Sequence, residues 1–406
     1  MRQMTLLTLL AAGVAFGAWT PVGPDGGNVL ALAIDRSSPL TMYCAPYEYP
    51  GNSRVFRTQN QGANWSAVGT LPVNSVAGLV VDRNQPQRLY ATTGSSSVLL
   101  SSDGGANWRT VELPGYGTEL KSDPHQSGRV MAVGYTISGQ TYAAVFVSTD
   151  FGSSWSARTL GPDTNYGYCL DFDPVNPGVA YVGCQRGMVF RTTDGGLNWT
   201  LANGGLPGNA SLMGITVNTG DPDIICAAAS DGVYRTTDAG ANWSRVGTLA
   251  RVYAVEFSPC AANIGYLIGY DTTSHLYVST DAGANWTVQP SGLTLGKANS
   301  MIADPADGDG IFLHGATGVL HSDDHGANWA FCNTGLRIAR ITTISVSPWD
   351  RRRVYVEVEG NGIFSSSDCG ATWTRCEDFL SCGSICGIGL APGSGIDVLW
   401  ALEGKG

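Results

Sequence analysis

Apolar and polar residues along this chain fall into short runs of period two, bounded by glycine, proline, asparagine and aspartate. In the stretch leading to Trp243, residues 212–218 alternate and are rich in β-forming side chains. Residues 223–229 and 232–236 are two further apolar runs, and residues 243–246 open a fourth. Alternation over about four to eight residues marks half-buried strands, and the turn residues between runs close hairpins. Apolar patterns of helical length are missing. The four-run unit recurs, and each copy carries the same eight-residue box, (Ser/Thr)-x-(Asp/Asn)-x-Gly-x-x-Trp. The box tryptophans are Trp65, Trp108, Trp155, Trp199, Trp243, Trp286, Trp329 and Trp373, spaced 43 to 47 residues apart. A period of roughly 40–50 residues means supersecondary units that stack to bury one shared core. Four short strands per unit predict one propeller blade, and the chain is expected to be an all-β, single propeller with eight complete blades.

The box lies in the hairpin between the third and fourth strands, and its residue types have mechanical reasons. The carboxylates Asp103, Asp150, Asp194, Asp238, Asp281, Asp324 and Asp368, with Asn60 in the first copy, are placed to accept hydrogen bonds from turn N–H groups. The glycine takes positive φ without a Cβ clash. The tryptophan is a large apolar anchor for the outer strand between blades. These residues are expected to be structural. Boxes such as Ser101-Ser102-Asp103-Gly104-Gly105-Ala106-Asn107-Trp108 resemble those of the Asp-box, or bacterial neuraminidase repeat (BNR), proteins. That family includes sialidases, xyloglucan hydrolases, sortilin-type receptors and photosystem II assembly factors. The resemblance covers nearly the whole chain and implies the propeller fold, while a fold shared by so many activities does not choose among them.

Nine first strands can be found, beginning near Val29, Ala77, Thr118, Tyr168, Leu212, Tyr253, Asn299, Thr342 and Cys386. The last is followed by a second strand and no box. Residues 19–22 look like an orphan outer strand, so pairing 19–22 with 385–403 is expected to close the ring through a shared ninth blade and hide sheet edges. A chain that stops short of a longer repeat array is the competing expectation.

Charge and leader narrow the setting. A net charge of −10 argues against nucleic acid or an anionic membrane as partner, since both want a basic surface. Residues 1–17 combine Arg2, an apolar run too short to span a bilayer and small residues before a cleavage point after Gly17, which reads as a secretory signal. The domain division is therefore 1–17 leader and 18–406 propeller, in a secreted or extracytoplasmic protein. Ten cysteines suit an exported chain. Cys169 and Cys184, on neighbouring strands, could bridge, whereas Cys369, Cys376, Cys382 and Cys386 lack paired zinc spacing. Neither metal nor cofactor is expected.

Ligands of propellers usually meet the mouth bearing the loops that enter the innermost strands, opposite the box hairpins. Aligning repeats on the residues that end those strands puts Arg251, Lys297 and Arg340 at one equivalent position on consecutive blades, beside Tyr116 and Tyr166. Asn28, Ser75, Ser211 and Ser384 stand there in the other repeats. Such an arc would attract an anion, with arginine forks for carboxylate or phosphate and tyrosines for sugar or peptide faces. Local pairing with Glu256, Asp304 or Glu357 is the plainer explanation of those cations. The loop 47–51, with Tyr47, Glu48 and Tyr49, is a second candidate lining.

A catalytic constellation is harder to find. Sialidase resemblance implies an arginine triad, a Tyr–Glu pair, an acidic Asp and an Arg-Ile-Pro element, and the chain has no Arg-Ile-Pro. Xyloglucan-hydrolase resemblance implies two carboxylates across a cleft between two propellers, and glycosidases in general need a pair about 5–10 Å apart. Asp163, Asp271 and Glu359 lie in suitable loops without singling out a pair. The five histidines form no metal-ligand motif. The expectation is an exported binding or scaffold module for a protein or glycan, acidic ligands included, with a sialidase-like or xyloglucanase-like glycoside hydrolase as the alternative.

Overall fold

A computed structural model describes residues 26–48, 52–138, 140–270, 274–289, 298–316, 318–334, 336, 341–347, 350, 352–358, 362–376, 385–391 and 398–403. The described residues form strands and turns, without helices. Eight four-stranded antiparallel sheets follow one another in chain order, and a two-stranded hairpin, Ile385–Ala391 with Val398–Glu403, comes after them. Each sheet is a meander in which consecutive strands pair, so the sheets are the eight blades expected from the boxes. They span residues 29–70, 78–112, 116–159, 167–201, 212–246, 251–288, 298–331 and 341–375, called blades 1 to 8.

The way the ring closes differs from the expectation. Seven clusters of buried side chains hold it together, and each straddles two neighbouring blades. Between blades 4 and 5, for example, Tyr181 and Val189 meet Leu212, Ile215 and Trp243. In every cluster the box tryptophan packs towards the preceding blade, as Trp155 does between blades 2 and 3 and Trp329 between blades 6 and 7. The tryptophan of blade 1 has blade 7 as its preceding blade. Trp65 is buried with Met42 and Phe56 of its own blade and Phe312 and Val319 of blade 7, and its indole N–H donates to the Cys332 carbonyl at 2.7 Å. The inner strand of blade 1 also touches the first two strands of blade 7. The disc therefore has seven blades.

Blade 8 and the hairpin after it lie outside that ring. The inner strand of blade 8, Ile341–Val346, packs on the first strand of the hairpin. Its Ile341, Ile344 and Val346 are exposed, where the counterparts of Ile344 in blades 1–7, from Leu32 and Leu79 to Val255 and Met301, are buried. Arg375 of blade 8 caps the Phe331 ring of blade 7, 5.1 Å from its centroid. The reason the ring stops at seven is visible in the linker: Thr334 and Leu336, just past blade 7, accept hydrogen bonds from the backbone of Trp65 and Gly26. Blade 1 already fills the place that an eighth blade in the ring would need. Residues 1–25, including the leader and the expected closing strand 19–22, lie outside the described residues.

The boxes behave as their chemistry requires. In box 2 the Ser101 hydroxyl donates to Asp103 at 2.8 Å and accepts from the Gly105 N–H at 2.9 Å. The same carboxylate oxygen also accepts the Asn107 backbone N–H, the other oxygen takes the Asn107 side-chain amide, and the Trp108 indole donates to the Gly105 carbonyl. The hydroxyl and backbone N–H bonds to the carboxylate recur at Asp150, Asp194, Asp238, Asp281, Asp324 and Asp368. Asn60 substitutes its amide oxygen. A second repeated turn ends the inner strands, where Asp82, Asp123 and Asp173 each accept two backbone N–H groups of the following loop.

Cys169 and Cys184 are both free thiols, as are Cys44, Cys226, Cys260, Cys332, Cys369 and Cys376. Burial raises the Cys169 and Cys184 thiols above their ordinary range, which keeps them protonated. Among the described residues no cluster of His, Cys, Asp and Glu could hold a metal ion, and no helix is long and apolar enough to cross a membrane.

Candidate functional site

Strand register decides which mouth is which. In blade 3, Ser122 faces Val130, and Val130 faces Ser148, the residue that opens the box. At the opposite end of the same sheet Tyr116 faces Tyr135. The starts of the inner strands therefore lie at the mouth away from the boxes, where the sequence placed the candidate ligand residues.

Four tyrosines gather there. Tyr116 and Tyr135 stack with centroids 5.2 Å apart and planes 3° from parallel. Tyr135 meets Tyr166 edge-on at 4.9 Å, and Tyr166 stacks beyond it on Tyr168 at 6.4 Å. The series crosses from blade 3 to blade 4. It depends on Gly134 at a register break: a Cβ there would overlap the Tyr116 carbonyl oxygen, so only glycine brings Tyr135 opposite Tyr116. Gln185 donates to the Tyr168 hydroxyl at 3.0 Å, fixing the far end. Tyr116 stays 36% exposed, so the ladder offers a ring to solvent at its start.

The arc continues around the mouth. Met213, Tyr253 and Tyr270 of blades 5 and 6 are all exposed. Arg251 pairs in register with Tyr270 and lies 5.9 Å over the Tyr253 ring, within cation–π range. Of the cations proposed from sequence, Arg251 stands on this mouth among aromatics. Lys297 and Arg340 lie outside the described residues, as do Asp271 and Glu359. Blade 8, to which Arg340 leads, is outside the ring, so an arc over three consecutive ring blades is not what the seven-bladed order provides. Asp163 is exposed, and its carbonyl accepts from Arg186 at 3.3 Å. Glu48 pairs with Arg54 at 3.0 Å beside exposed Tyr47, while residues 49–51 lie outside the described residues.

The inner strands of blades 1 to 7 enclose a central channel of about 810 Å³. Its carboxylates are occupied by the fold. Glu119, Asp171 and Glu256 each accept the backbone N–H of the next blade, from Leu170, Val217 and Ala303. Lys121 sits between Asp171 at 2.9 Å and Glu119 at 3.9 Å, and Arg36 approaches Glu256 at 3.7 Å. Burial raises the Glu119 and Glu256 carboxyls above the ordinary range, with Lys121 and Arg36 opposing it. Burial alone would lower Lys121, but Asp171 and Glu119 outweigh it, and its ammonium is held above its usual value. Glu256 thus pairs with Arg36 rather than Arg251, and Asp304 takes His321 at 3.2 Å.

Tyr135 and Tyr270 went unnoticed in the sequence because they stand on second strands, and only the hairpin register brings them to the mouth. The channel arginines left a signal: Arg36 and Arg83 follow the aspartate that ends their inner strands, where later repeats have Pro124, Pro174, Pro259 and Pro305.

Comparison with known proteins agrees with this architecture. The family model "Sortilin, neurotensin receptor 3" matches residues 53–164, and "Photosynthesis system II assembly factor YCF48" matches residues 130–250. The chain is an Asp-box, BNR-type β-propeller resembling those families. A xyloglucanase of a Paenibacillus species is 25% identical over 222 residues, 50% of this chain. A probable oligoxyloglucan-reducing end-specific xyloglucanase of Neosartorya fischeri is 26% identical over 199 residues, 45% of this chain. The matched region spans only 19% of either relative's length. Among solved structures, an ancestral GH74 enzyme superposes with a TM-score of 0.70 at 19% identity, over 97% of this chain and 60% of its own. YCF48 from Cyanidioschyzon merolae gives 0.55 at 17% identity, over 76% of this chain and 99% of its own. At such identities the structures speak to the fold alone.

Proposed function

We propose that this chain is an exported binding propeller whose tyrosine mouth takes a glycan chain and does not cleave it. The observation that carries the reading is the stacked series Tyr116, Tyr135, Tyr166 and Tyr168, continued by Tyr253 and Tyr270. Flat apolar faces with polar edges suit the faces of pyranose rings, and an arc across several blades suits an extended chain more than a small molecule. The two xyloglucanase relatives support a glucan as the first ligand to test. Export rests on the reading of residues 1–17.

The test is affinity electrophoresis and calorimetry against xyloglucan, cello-oligosaccharides and a peptide panel. Xyloglucan or another glucan should be retained by the native protein and held about tenfold more weakly by Tyr116→Ala/Tyr166→Ala. Retention of peptides with no glycan bound would overturn the glycan reading and favour a protein ligand.

A glycoside hydrolase is the second reading, favoured by the same two relatives. It needs a facing pair of carboxylates, and Asp271 and Glu359, its sequence candidates, lie outside the described residues. Release of reducing ends from xyloglucan, abolished by Asp271→Asn or Glu359→Gln, would establish it in place of simple binding.

A further inference from the structure

At the box end of the channel, two arginines on adjacent blades occupy the same position, one residue past the aspartate that ends the inner strand. Arg36 belongs to blade 1 and Arg83 to blade 2, and both line the channel. A guanidinium carries five N–H donors in a planar fork. Lys121 is consumed by Asp171 and Glu119. Arg36 spends its charge on one contact with Glu256, at 3.7 Å, beyond hydrogen-bond length. The Arg83 backbone N–H is bound by the Ser122 hydroxyl. Its guanidinium has neither a hydrogen bond nor an ion pair among the described residues.

We propose that Arg36 and Arg83 form a binding site for a singly charged carboxylate inside the channel, independent of the tyrosine mouth. The planar fork matches a carboxylate in two parallel bonds. The choice of a monoanion follows from the walls. Glu119, Asp171 and Glu256 face the same space, and a dianion such as phosphate would meet more repulsion than two arginines offset. Burial and the neighbouring charge of Arg36 lower the Arg83 guanidinium to about 10, with Asp171 and Glu256 acting in the opposite sense. An added acceptor would relieve that crowding.

Carboxylates of this kind come from two sources, an acidic sugar or a free chain terminus. Calorimetry at low ionic strength with sodium glucuronate and with N-acetylalanine separates them, against glucose, N-acetylalanine amide and inorganic phosphate. The expected result is saturable binding of glucuronate, N-acetylalanine or both, with the neutral partners silent and phosphate weaker. Arg83→Ala should weaken it at least tenfold. Arg83→Lys, which keeps the charge and loses the fork, should fall between and guards against an alanine variant that does not fold. Tyr116→Ala should leave it unchanged. Equal binding of the neutral analogues, tighter binding of phosphate, no binding by any carboxylate, or unaltered affinity in a folded Arg83 variant would each overturn the site.

Discussion

The two ends of the ring are made by the same repeats and treat them in opposite ways. At the box end every blade repeats one pattern of bonds around its aspartate or, in blade 1, asparagine, so that Asp103 and Asp324, in blades 2 and 7, have equivalent partners. At the other mouth, equivalent positions read Asn28, Ser75, Tyr116, Tyr166, Ser211 and Arg251 from blade 1 to blade 6. What every blade repeats is what a blade needs in order to exist. What varies from blade to blade can only matter to the assembled disc, because no single blade depends on it. That contrast separates scaffold from site without any ligand in view, and it can be attacked from both sides.

The heaviest blow falls on the box end. Trp243 is buried between blades 4 and 5, and its indole N–H donates to the Ala202 and Gly240 carbonyls. Trp243→Ala removes a large buried ring, and such truncations cost about 3–5 kcal/mol. Denaturant titration should show that loss, while Tyr116→Ala, which gives up a half-exposed ring and one stacking contact, should cost only about 0.5–1.5 kcal/mol. Equal stability losses at the two positions would erase the distinction between the ends.

Acid should act on the same end. Hydrogen bonds from the box hold Asp194, Asp238, Asp324 and Asp368 at about 2, and Asp103 below its ordinary range. At Asp150 and Asp281 burial works against these bonds, yet the net shift is also downward. An unfolded aspartate titrates near about 3.9. A depressed carboxyl therefore stabilises fully above that value and loses its contribution as pH falls through the folded one. Glu119 and Glu256, raised by burial, run the other way and gain as acid protonates them. Because the box carboxylates are mostly exposed, each effect is small and only the sum is measurable. Melting temperature should drop steadily between about pH 4 and pH 2; a flat profile over that window would mean the boxes contribute little.

The tyrosine mouth should respond in the reverse manner. Removing Tyr116 and Tyr166 together takes away a stacking platform in which aromatic pairs are worth about 0.5–1.5 kcal/mol each. Glucan binding should weaken about tenfold in a protein that still folds, its stability falling by no more than those three ring contacts are worth. If affinity survives and stability falls, the four rings are packing between blades 3 and 4, and the ligand meets the disc elsewhere.

How much of this could be read beforehand follows the same division. Blade number, box roles and the tryptophan as inter-blade anchor were all legible, because each repeat states them again. Ring closure was not. Whether seven or eight blades share a ring depends on whether Trp65 meets blade 7, a contact between residues 267 positions apart. No period in the sequence encodes it. Tyr116, Tyr166 and Arg251 could be placed at the mouth away from the boxes by aligning inner strands, but their partners Tyr135 and Tyr270 required the pairing of first and second strands. Gly134 marks a bulge or close approach within its strand, but only the register shows that the bulge brings Tyr135 into the stack.

The smallest effect tests the regularity of the boxes themselves. The residue after the box aspartate is left-handed in all eight copies: Gln61, Gly104, Phe151, Gly195, Ala239, Ala282, His325 and Cys369 have φ between 55° and 72°. The left-handed region disfavours residues with a Cβ by about 1–2 kcal/mol, yet six of the eight positions carry one. Boxes 2 and 4 show that glycine fits the same geometry. Ala239 is partly exposed and bonds through its backbone alone: its N–H donates to the Asp223 carbonyl at 3.0 Å and its carbonyl accepts from the Tyr181 hydroxyl at 3.3 Å. Ala239→Gly keeps that carbonyl and removes the strain. It also loosens the unfolded chain by about 0.4–1 kcal/mol. The strain term is the larger, so the variant should be more stable by about 0.5 kcal/mol. Denaturant midpoints measured beside Gly195→Ala, which should be destabilised, give the comparison a control of opposite sign. An Ala239→Gly protein less stable than the native one would show that the methyl group contributes packing that outweighs the strain.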